Sequence, residues 1–305
     1  MPLIISRRFN FMKDKQPLYK AYTPYLYLLP AALILIPFVF LALAQVFIYS
    51  VQNYNIFTPP RWIGFENFTN LFRDQKFWLA LLNTIRYFAV VVPLLVVLPL
   101  FIAVLVNRDL KGINFFRAVF YFPVITSMVV VGIAWKWIYA ENGLLNYFLT
   151  DLLPLLDDPV NWLSRGDTAL ASVMAVTVWK GLGYYMIIYL AGLQAIPSHL
   201  YEAANIDGAG SFRKLFHVTV PMLFPSISIV TIMSSMAAMK VFDEIFVMTG
   251  GGPYGSSRTL VFEMYYNAFE KIKIGYSSAM AVVLFFILLL FSWLSLKFSE
   301  NKYEK

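Results

Sequence analysis

Residues 201–221 read YEAANIDGAGSFRKLFHVTVP and form a polar segment, rich in small residues, between two long apolar segments. Ahead of it, residues 168–197 contain a single charged residue, Lys180, and behind it residues 215–239 contain none. An apolar segment of ~20 residues is long enough to cross a bilayer as a helix. The polar segment is therefore expected to connect two membrane-spanning helices and to face an aqueous compartment, where its charged residues can contact a partner.

The local sequence of this segment predicts two short helices joined by a glycine elbow. Ser198 is expected to be the N-cap of the first helix, because its hydroxyl can accept a hydrogen bond from a free backbone N–H. Asp207 and Gly208 are expected to end that helix, since glycine readily adopts a positive φ. A second short helix is expected to begin at Ser211, with apolar side chains on one face.

The composition is that of a membrane protein. Of the 305 residues, 60% are hydrophobic and only 13% are charged, whereas soluble domains carry roughly 25% charged residues. The absence of cysteine excludes a disulfide framework, a thiolate metal site and a cysteine nucleophile. The two histidines are too few for an imidazole metal cluster. The net charge of +7 is distributed over short loops, which favours a membrane protein over a nucleic-acid-binding protein.

Apolar segments of membrane-spanning length recur along the chain and predict an all-α polytopic protein with six transmembrane helices. The predicted spans are residues 25–50, 83–106, 118–139, 168–193, 218–241 and 277–297. Residues 21–60 contain no charge and no Ala-x-Ala cleavage pattern, so the first segment is expected to be an uncleaved span and not a signal peptide.

The distribution of Lys and Arg predicts the orientation, because positively charged loops remain on the cytoplasmic side. These residues are more numerous in 1–24, 107–117, 194–217 and 297–305 than in 51–82, 140–167 and 242–276. Both termini and residues 194–217 are therefore expected to be cytoplasmic. Of the external loops, the first predicts a short interfacial helix around residues 65–73, and the third contains the glycine-rich sequence TGGGPYG, which predicts a tight turn.

The division of the chain follows from these spans. A cytoplasmic N-terminal segment, residues 1–24, precedes the first span and its external loop, residues 25–77. A transmembrane core, residues 78–297, contains the cytoplasmic loop 194–217. A cytoplasmic tail, residues 298–305, ends the chain.

The spacing in the polar segment resembles the EAA loop of bacterial ABC importer permeases. That pattern is Glu-Ala-Ala, a glycine after three residues and, nine residues further, aliphatic-x-aliphatic-Pro. Here it appears as Glu202-Ala203-Ala204, Gly208 and residues 218–221, with valines where the family usually has Ile and Leu. The surrounding sequence AGLQAIPSHLYEAANIDGAG, residues 242–253 and GYSSAMAVVLF from Gly275 resemble permeases of the MalF and UgpA type from carbohydrate importers.

This resemblance implies a type I ABC importer permease fold in the bacterial cytoplasmic (inner) membrane. It implies four kinds of partner: the lipid bilayer, a second similar permease, two cytoplasmic ATPase subunits and an external or periplasmic solute-binding protein. Glu202 would be the polar contact to an ATPase, Ala203 and Ala204 its close-packing face, and Asp207 and Gly208 the elbow. The chain has no G-x-x-x-x-G-K-[ST] motif, so ATP and Mg are expected to bind to the partner ATPase. This chain is expected to bind no cofactor and to be a transport subunit and not an enzyme.

The resemblance also implies a substrate pathway on the two spans that flank the loop. Small, polar and aromatic residues share one face of each predicted helix: Thr177, Lys180, Gly181 and Tyr184 on the fourth span, and Ser234, Ala237, Ala238 and Val241 on the fifth. Small residues at this spacing also serve close helix packing, and both readings stay open. A charge within a span is costly, which makes Lys180 a functional candidate or a partner for an acidic residue of another subunit. Asp243 and Glu244 are expected near the outer mouth, to gate it or to contact the binding protein.

A sugar or sugar-like solute, such as a di- or oligosaccharide or a glycosylated compatible solute, is the expected cargo. Glycerol 3-phosphate is the alternative, since a phosphate ester calls for a cationic side chain and Lys180 is available. An ion-coupled secondary transporter would be expected to carry a carboxylate within a span, and none is found in the six predicted spans. A membrane scaffold would leave the spacing of the EAA-like segment without explanation.

Overall fold

The computed structural model describes residues 22–108 and 110–303. It divides into two units, Met1–Ile48 and Tyr49–Lys305. The described part of the first unit is helical: α1 (Thr23–Leu35) continues through a π-helical stretch, Ile36–Leu41, into α2 (Ala42–Ser50), which runs just past the boundary. Together these residues form an apolar helical segment of 28 residues, close to the predicted first span.

The second unit begins with a β-hairpin that the sequence did not predict. Strand β1 (Gln52–Asn55) pairs antiparallel with β2 (Thr58–Trp62). The side chain of Asn55 closes the turn by accepting hydrogen bonds from the backbone N–H groups of Phe57 and Thr58. Helix α3 (Glu66–Arg73) follows where the short interfacial helix was predicted. Asn67 donates to the carbonyls of Ser50 and Gln52, so α3 is tied to the hairpin.

Two long helices form the centre of the core. Helix α4 (Gln75–Val106) starts earlier than the predicted second span, because Asp74 caps its N-terminus by accepting from the backbone N–H of Lys76. Helix α8 (Ala169–Gln194) matches the predicted fourth span to within a residue. Tyr189 on α8 is fully buried and donates through its hydroxyl to the carbonyl of Val96 on α4, at 3.0 Å.

The predicted third span, residues 118–139, is wrong as a single helix. Helix α5 (Ile113–Ile125) and helix α6 (Met128–Ile138) meet at a bend of 100°. Thr126 has an extended backbone, and the Ser127 hydroxyl accepts from the backbone N–H of Val130 as the N-cap of α6. A new cap and an extended residue start a separate helix, which apolar composition alone does not predict.

The predicted fifth span, residues 218–241, is also wrong as a single helix. Helix α10 (Ser211–Lys214), a π-helical stretch and α11 (Val220–Met222) form one arm, and α12 (Phe224–Met239) forms the other. The arms meet at 69° at the break between α11 and α12. Prolines occupy the first turn of both α11 and α12, a position where the missing N–H is tolerated.

The remaining α-helices are short, apart from the last one. They are α7 (Leu144–Tyr147), α9 (Ser198–Ile206), α13 (Asp243–Met248) and α14 (Leu260–Tyr265), followed by α15 (Ile274–Tyr303). The turn between α13 and α14 has positive φ at Gly250 and Gly251, as the glycine-rich sequence predicts. It is held to α4 by Thr84, whose hydroxyl accepts from the backbone N–H of Leu260 at 2.8 Å.

The predicted class, an all-α polytopic membrane protein, is confirmed apart from the small hairpin. Among the described residues, four helical segments are long and apolar enough to cross a membrane. The predicted number of six is reached only if each bent pair counts as one span.

Candidate functional site

The first candidate site is the α9–α10 loop, residues 194–217, which joins α8 to the arm that leads into α12. The predicted N-cap is wrong: Pro197, with an extended backbone (ψ 132°), occupies the N-cap, and Ser198 is the first residue of α9. No side chain caps this helix. Proline in an extended conformation is enough to end α8 and to redirect the chain.

The elbow of this loop is formed as the sequence predicts. Helix α9 ends before Asp207, and Gly208 has φ +70°. The backbone N–H of Ala209 donates to the carbonyl of Ala204 at 2.9 Å, which satisfies a carbonyl at the end of the helix. A Cβ on Gly208 would meet no atom within 4 Å. The requirement for glycine here is conformational and not steric.

The α9–α10 loop is anchored on one face and exposed on the other. Tyr201 packs against the main core, and its hydroxyl lies 3.1 Å from that of Thr219. Glu202, Ala203 and Asp207 are exposed, whereas Ala204 is half-buried. Two large apolar side chains point to solvent beside them: Ile206 is 87% exposed and Phe212 is 78% exposed. The exposed face therefore offers a carboxylate next to apolar surface, a combination suited to a protein partner.

The second candidate site is a cavity of about 310 Å³ between α4, α8, α12 and α13. The structure brings together on its wall every residue predicted for the substrate pathway: Thr177, Lys180, Gly181, Tyr184, Ser234, Ala238 and Val241. Ala237, Lys240, Asp243 and Glu244 lie on the same wall. The fourth and fifth predicted spans thus contribute one face each, as their spacing indicates.

Sequence reasoning missed a third face of this cavity. Tyr87, Val91 and Leu95 of α4 lie on the wall, and so does Val124 of α5. The three α4 residues recur at four-residue intervals, which places them on one helix face. This spacing is the sequence pattern from which the third face could have been predicted. Tyr87 is fully buried, and its hydroxyl lies 2.6 Å from that of Thr177 on α8.

The predicted residues contribute unequally to the open surface of the cavity. Tyr184 is 40% exposed and presents an aromatic ring. Ser234 is fully buried and its hydroxyl donates to the carbonyl of Thr231 in its own helix, at 3.2 Å. Gly181 allows close packing, because a Cβ there would lie 2.8 Å from the side chain of Leu95. The α8 and α12 faces therefore serve packing as well as lining.

Charges of both signs face this cavity. Lys180 is half-buried, and its ammonium group lies 3.4 Å from the carbonyl of Val124. Glu244 is half-buried at the start of α13, with the exposed Asp243 beside it. Burial raises the pKa of the Glu244 carboxyl; the Asp243 carboxylate adds to this, and the Lys180 ammonium opposes it. Lys180 and Glu244 thus line the same cavity with charges of opposite sign.

A polar cleft of about 890 Å³ lies apart from both sites, between the β-hairpin, α3 and the start of α15. Near it, Arg258 forms a 3.1 Å ion pair with the buried Glu263 and stacks over the ring of Tyr266. Asn267 donates to a carboxylate oxygen of Glu263 at 2.9 Å. These contacts account for the buried carboxylate as part of the framework around the glycine-rich turn.

These features are typical of a membrane transport subunit: the helices are apolar, a cavity with charged groups lies between them, and an exposed loop joins helices that line the cavity. The family model described as "Binding-protein-dependent transport system inner membrane component" matches residues 69–301. The chain belongs to this family of ABC transporter permeases. Its relatives are permease subunits and not enzymes, as the sequence predicts.

Curated relatives match nearly the whole chain, and two of them serve as examples. A probable ABC transporter permease protein, YurN of Bacillus subtilis (strain 168), is 36% identical over 287 residues, 92% of this chain and 97% of the relative. The trehalose/maltose transport system permease protein MalF of Thermococcus litoralis is 32% identical over 290 residues, 94% of this chain and 97% of the relative.

A solved structure gives the fold. A chain of a bacterial alginate ABC transporter, crystallised in complex with an alginate pentasaccharide-bound periplasmic protein, superposes with a TM-score of 0.79. The two chains are 20% identical, and the match covers 90% of this chain and 92% of the other. This likeness confirms the predicted type I ABC importer permease fold.

Proposed function

We propose that this chain is one of two permease subunits that together form the pathway for a sugar or sugar-like solute in an ATP-driven importer. The observation that carries the proposal is the cavity lined by α4, α8 and α12, because α8 leads directly into the α9–α10 loop and α12 follows this loop after the bend at Leu223. The lining combines a partly exposed tyrosine ring with hydroxyl and charged groups, which suits a polyhydroxylated solute. The names of relatives, such as the trehalose/maltose permease, support the same class of cargo.

The exposed face of the α9–α10 loop is proposed to dock into a cytoplasmic ATPase subunit. Glu202 would supply the polar contact, and the small residues Ala203 and Ala204 would let the partner approach the backbone closely. Ile206 and Phe212 would lose their exposed apolar surface, which favours association by roughly 25 cal/mol per Å² buried. ATP and Mg would be bound by that partner, since this chain has no phosphate-binding motif.

Movement of the docked loop would reach the cavity through close contacts between its flanking helices. A Cβ on Gly192, near the end of α8, would lie 2.3 Å from the Ser226 hydroxyl and 2.8 Å from the Leu223 side chain. The backbone at the end of α8 is therefore packed directly against side chains at the start of α12. ATP-driven closure would favour one arrangement of these helices over another by its differential contact energy.

The proposed assembly contains this chain, a second homologous permease, two ATPases and an external solute-binding protein. The α9–α10 loop and both termini would be cytoplasmic, as the Lys and Arg distribution predicts. Glycerol 3-phosphate remains the second candidate cargo, favoured by Lys180 on the cavity wall.

The proposal is tested by purifying the complex through a tag on this chain and reconstituting it in vesicles with ATP enclosed. Uptake of radiolabelled trehalose, maltose and glycerol 3-phosphate would be measured with the co-encoded binding protein outside. Accumulation of a neutral sugar that needs both ATP and the binding protein is expected. Accumulation of glycerol 3-phosphate alone would favour the second candidate, and ATP-independent uptake driven by an ion gradient would contradict the proposal.

A further inference from the structure

The charged groups on the cavity wall come from different parts of the fold and are balanced in sign. Lys180 lies on α8, Lys240 follows the last residue of α12, and Asp243 and Glu244 begin α13. Lys240 and Asp243 are exposed, so water and salt screen their charges. Lys180 and Glu244 are half-buried, where charges are screened much less. The potential within the cavity is therefore determined mainly by Lys180 and Glu244.

Neither of these two groups is neutralised by a close ion pair. No salt bridge between described residues involves Lys180 or Glu244, and the polar contact of the Lys180 ammonium is the Val124 carbonyl. Both groups line the same cavity, so a solute bound there can contact either of them. Hydroxyl groups can donate to a carboxylate and accept from an ammonium, whereas a phosphate or uronate that approaches Lys180 also approaches Glu244.

We propose that Glu244 is a specificity-determining residue of the cavity, whose carboxylate offsets Lys180 so that the site takes uncharged polyhydroxylated solutes and disfavours anionic ones. This inference rests on the proposed function, because it names the substrate class of the same site. It separates this chain's cargo from glycerol 3-phosphate. It also separates it from acidic polysaccharides such as the alginate named for the structural neighbour.

The absence of cysteine permits a direct test of the cavity charge. In the assembled complex, Ala237→Cys places a reporter thiol at an exposed position on the cavity wall, unique within this subunit. The rates of its modification by cationic and anionic methanethiosulfonates are compared, with the complex lacking Ala237→Cys as background. Glu244→Gln is expected to lower the cation-to-anion rate ratio about three- to tenfold, and Lys180→Met to raise it by a similar factor.

Two further variants keep this test specific. Glu244→Asp retains the charge and is expected to leave the ratio near that of the parent, which separates charge from any change of shape. Asp243→Asn removes the exposed neighbouring carboxylate and is expected to have a smaller effect than Glu244→Gln. The proposal would be overturned if Glu244→Gln left the rate ratio unchanged, or if Glu244→Asp shifted the ratio as much as Glu244→Gln does.

Solute selectivity is read from protection of the same thiol against a neutral methanethiosulfonate. In the parent, trehalose or maltose is expected to slow modification of the thiol, whereas glycerol 3-phosphate is not. In the Glu244→Gln variant, glycerol 3-phosphate is expected to slow modification as well. Protection of the parent by glycerol 3-phosphate at an equal or lower concentration would contradict the inference. Failure of the proposed function can be distinguished from failure of this inference. ATP-independent uptake would contradict the proposed function, whereas the modification-rate ratios report the charge of the cavity in either case.

Discussion

The α9–α10 loop and helix α8, which leads into it, differ in how their glycines are surrounded. In the loop, Gly208 and Gly210 have open space where a Cβ would be. In the helices, a Cβ on Gly183 would lie 2.1 Å from the carbonyl oxygen of Phe120, and Gly181 and Gly192 are similarly close to neighbours. The loop therefore has no steric requirement for glycine, although the φ of Gly208 favours it, whereas the α8 glycines allow neighbouring elements to pack closely against this helix.

The largest expected effect comes from the same substitution made in both regions. Gly183→Ala should disrupt the contact between α5 and α8, because backbone atoms and not a flexible side chain occupy the space. A cost of about 3 kcal/mol is expected from such overpacking. Gly210→Ala is the matched control, since its φ of −68° suits any residue and no atom lies within 4 Å.

The yield and thermal stability of the purified complex measure this difference. Gly183→Ala is expected to give little assembled complex, and Gly210→Ala a complex indistinguishable from the parent. Equal stability of the two variants would show that α5 and α8 are not as closely packed as the structure places them.

A smaller effect is expected at Lys180, within the cavity. Lys180→Ala should change the KM for solute several-fold without preventing assembly, because it removes a charge from the wall but leaves the surrounding packing in place. Uptake kinetics with several sugars provide the measurement, and Lys136→Ala on α6, which does not line the cavity, is the control. Unchanged kinetics for every sugar would make Lys180 a structural residue.

The smallest expected effect concerns the anchored face of the α9–α10 loop. Tyr201→Phe removes the hydroxyl that lies 3.1 Å from that of Thr219. Loss of one such hydrogen bond should lower the free energy of unfolding by about 1 kcal/mol. Thermal unfolding of the purified complex tests this, with Tyr254→Phe at a fully exposed position as control. A shift no larger than in the control would indicate that packing alone anchors α9.

The two regions also differ in how far the sequence predicts them. The loop depends on residues close together in the chain, so Gly208, the end of α9 and the start of α10 could be predicted. The bends after Ile125 and at Leu223 could not, because apolar composition is the same in a straight and a bent helix. The hairpin was missed because QNYN and TPPRW are polar or proline-rich and lack the alternation of a strand.

The cavity was predicted only where its residues flank the loop. Thr177, Lys180, Gly181 and Tyr184 share a helix face that periodicity makes visible. The contribution of Tyr87, and the presence of Glu244 on the same wall as Lys180, depend on the packing of elements far apart in the chain. Such pairings require the tertiary structure, since no local pattern specifies which helices meet.

The central claim, that the α9–α10 loop couples a partner's ATP hydrolysis to transport, is tested most directly by measuring both activities in the same vesicles. Glu202→Lys and Gly208→Asp are compared with Glu141→Lys, which reverses an exposed charge in a different connecting segment. We expect the two loop variants to insert and assemble but to lower the solute transported per ATP hydrolysed at least about tenfold, with Glu141→Lys unchanged. Normal uptake and a normal ratio in both loop variants would contradict the coupling role.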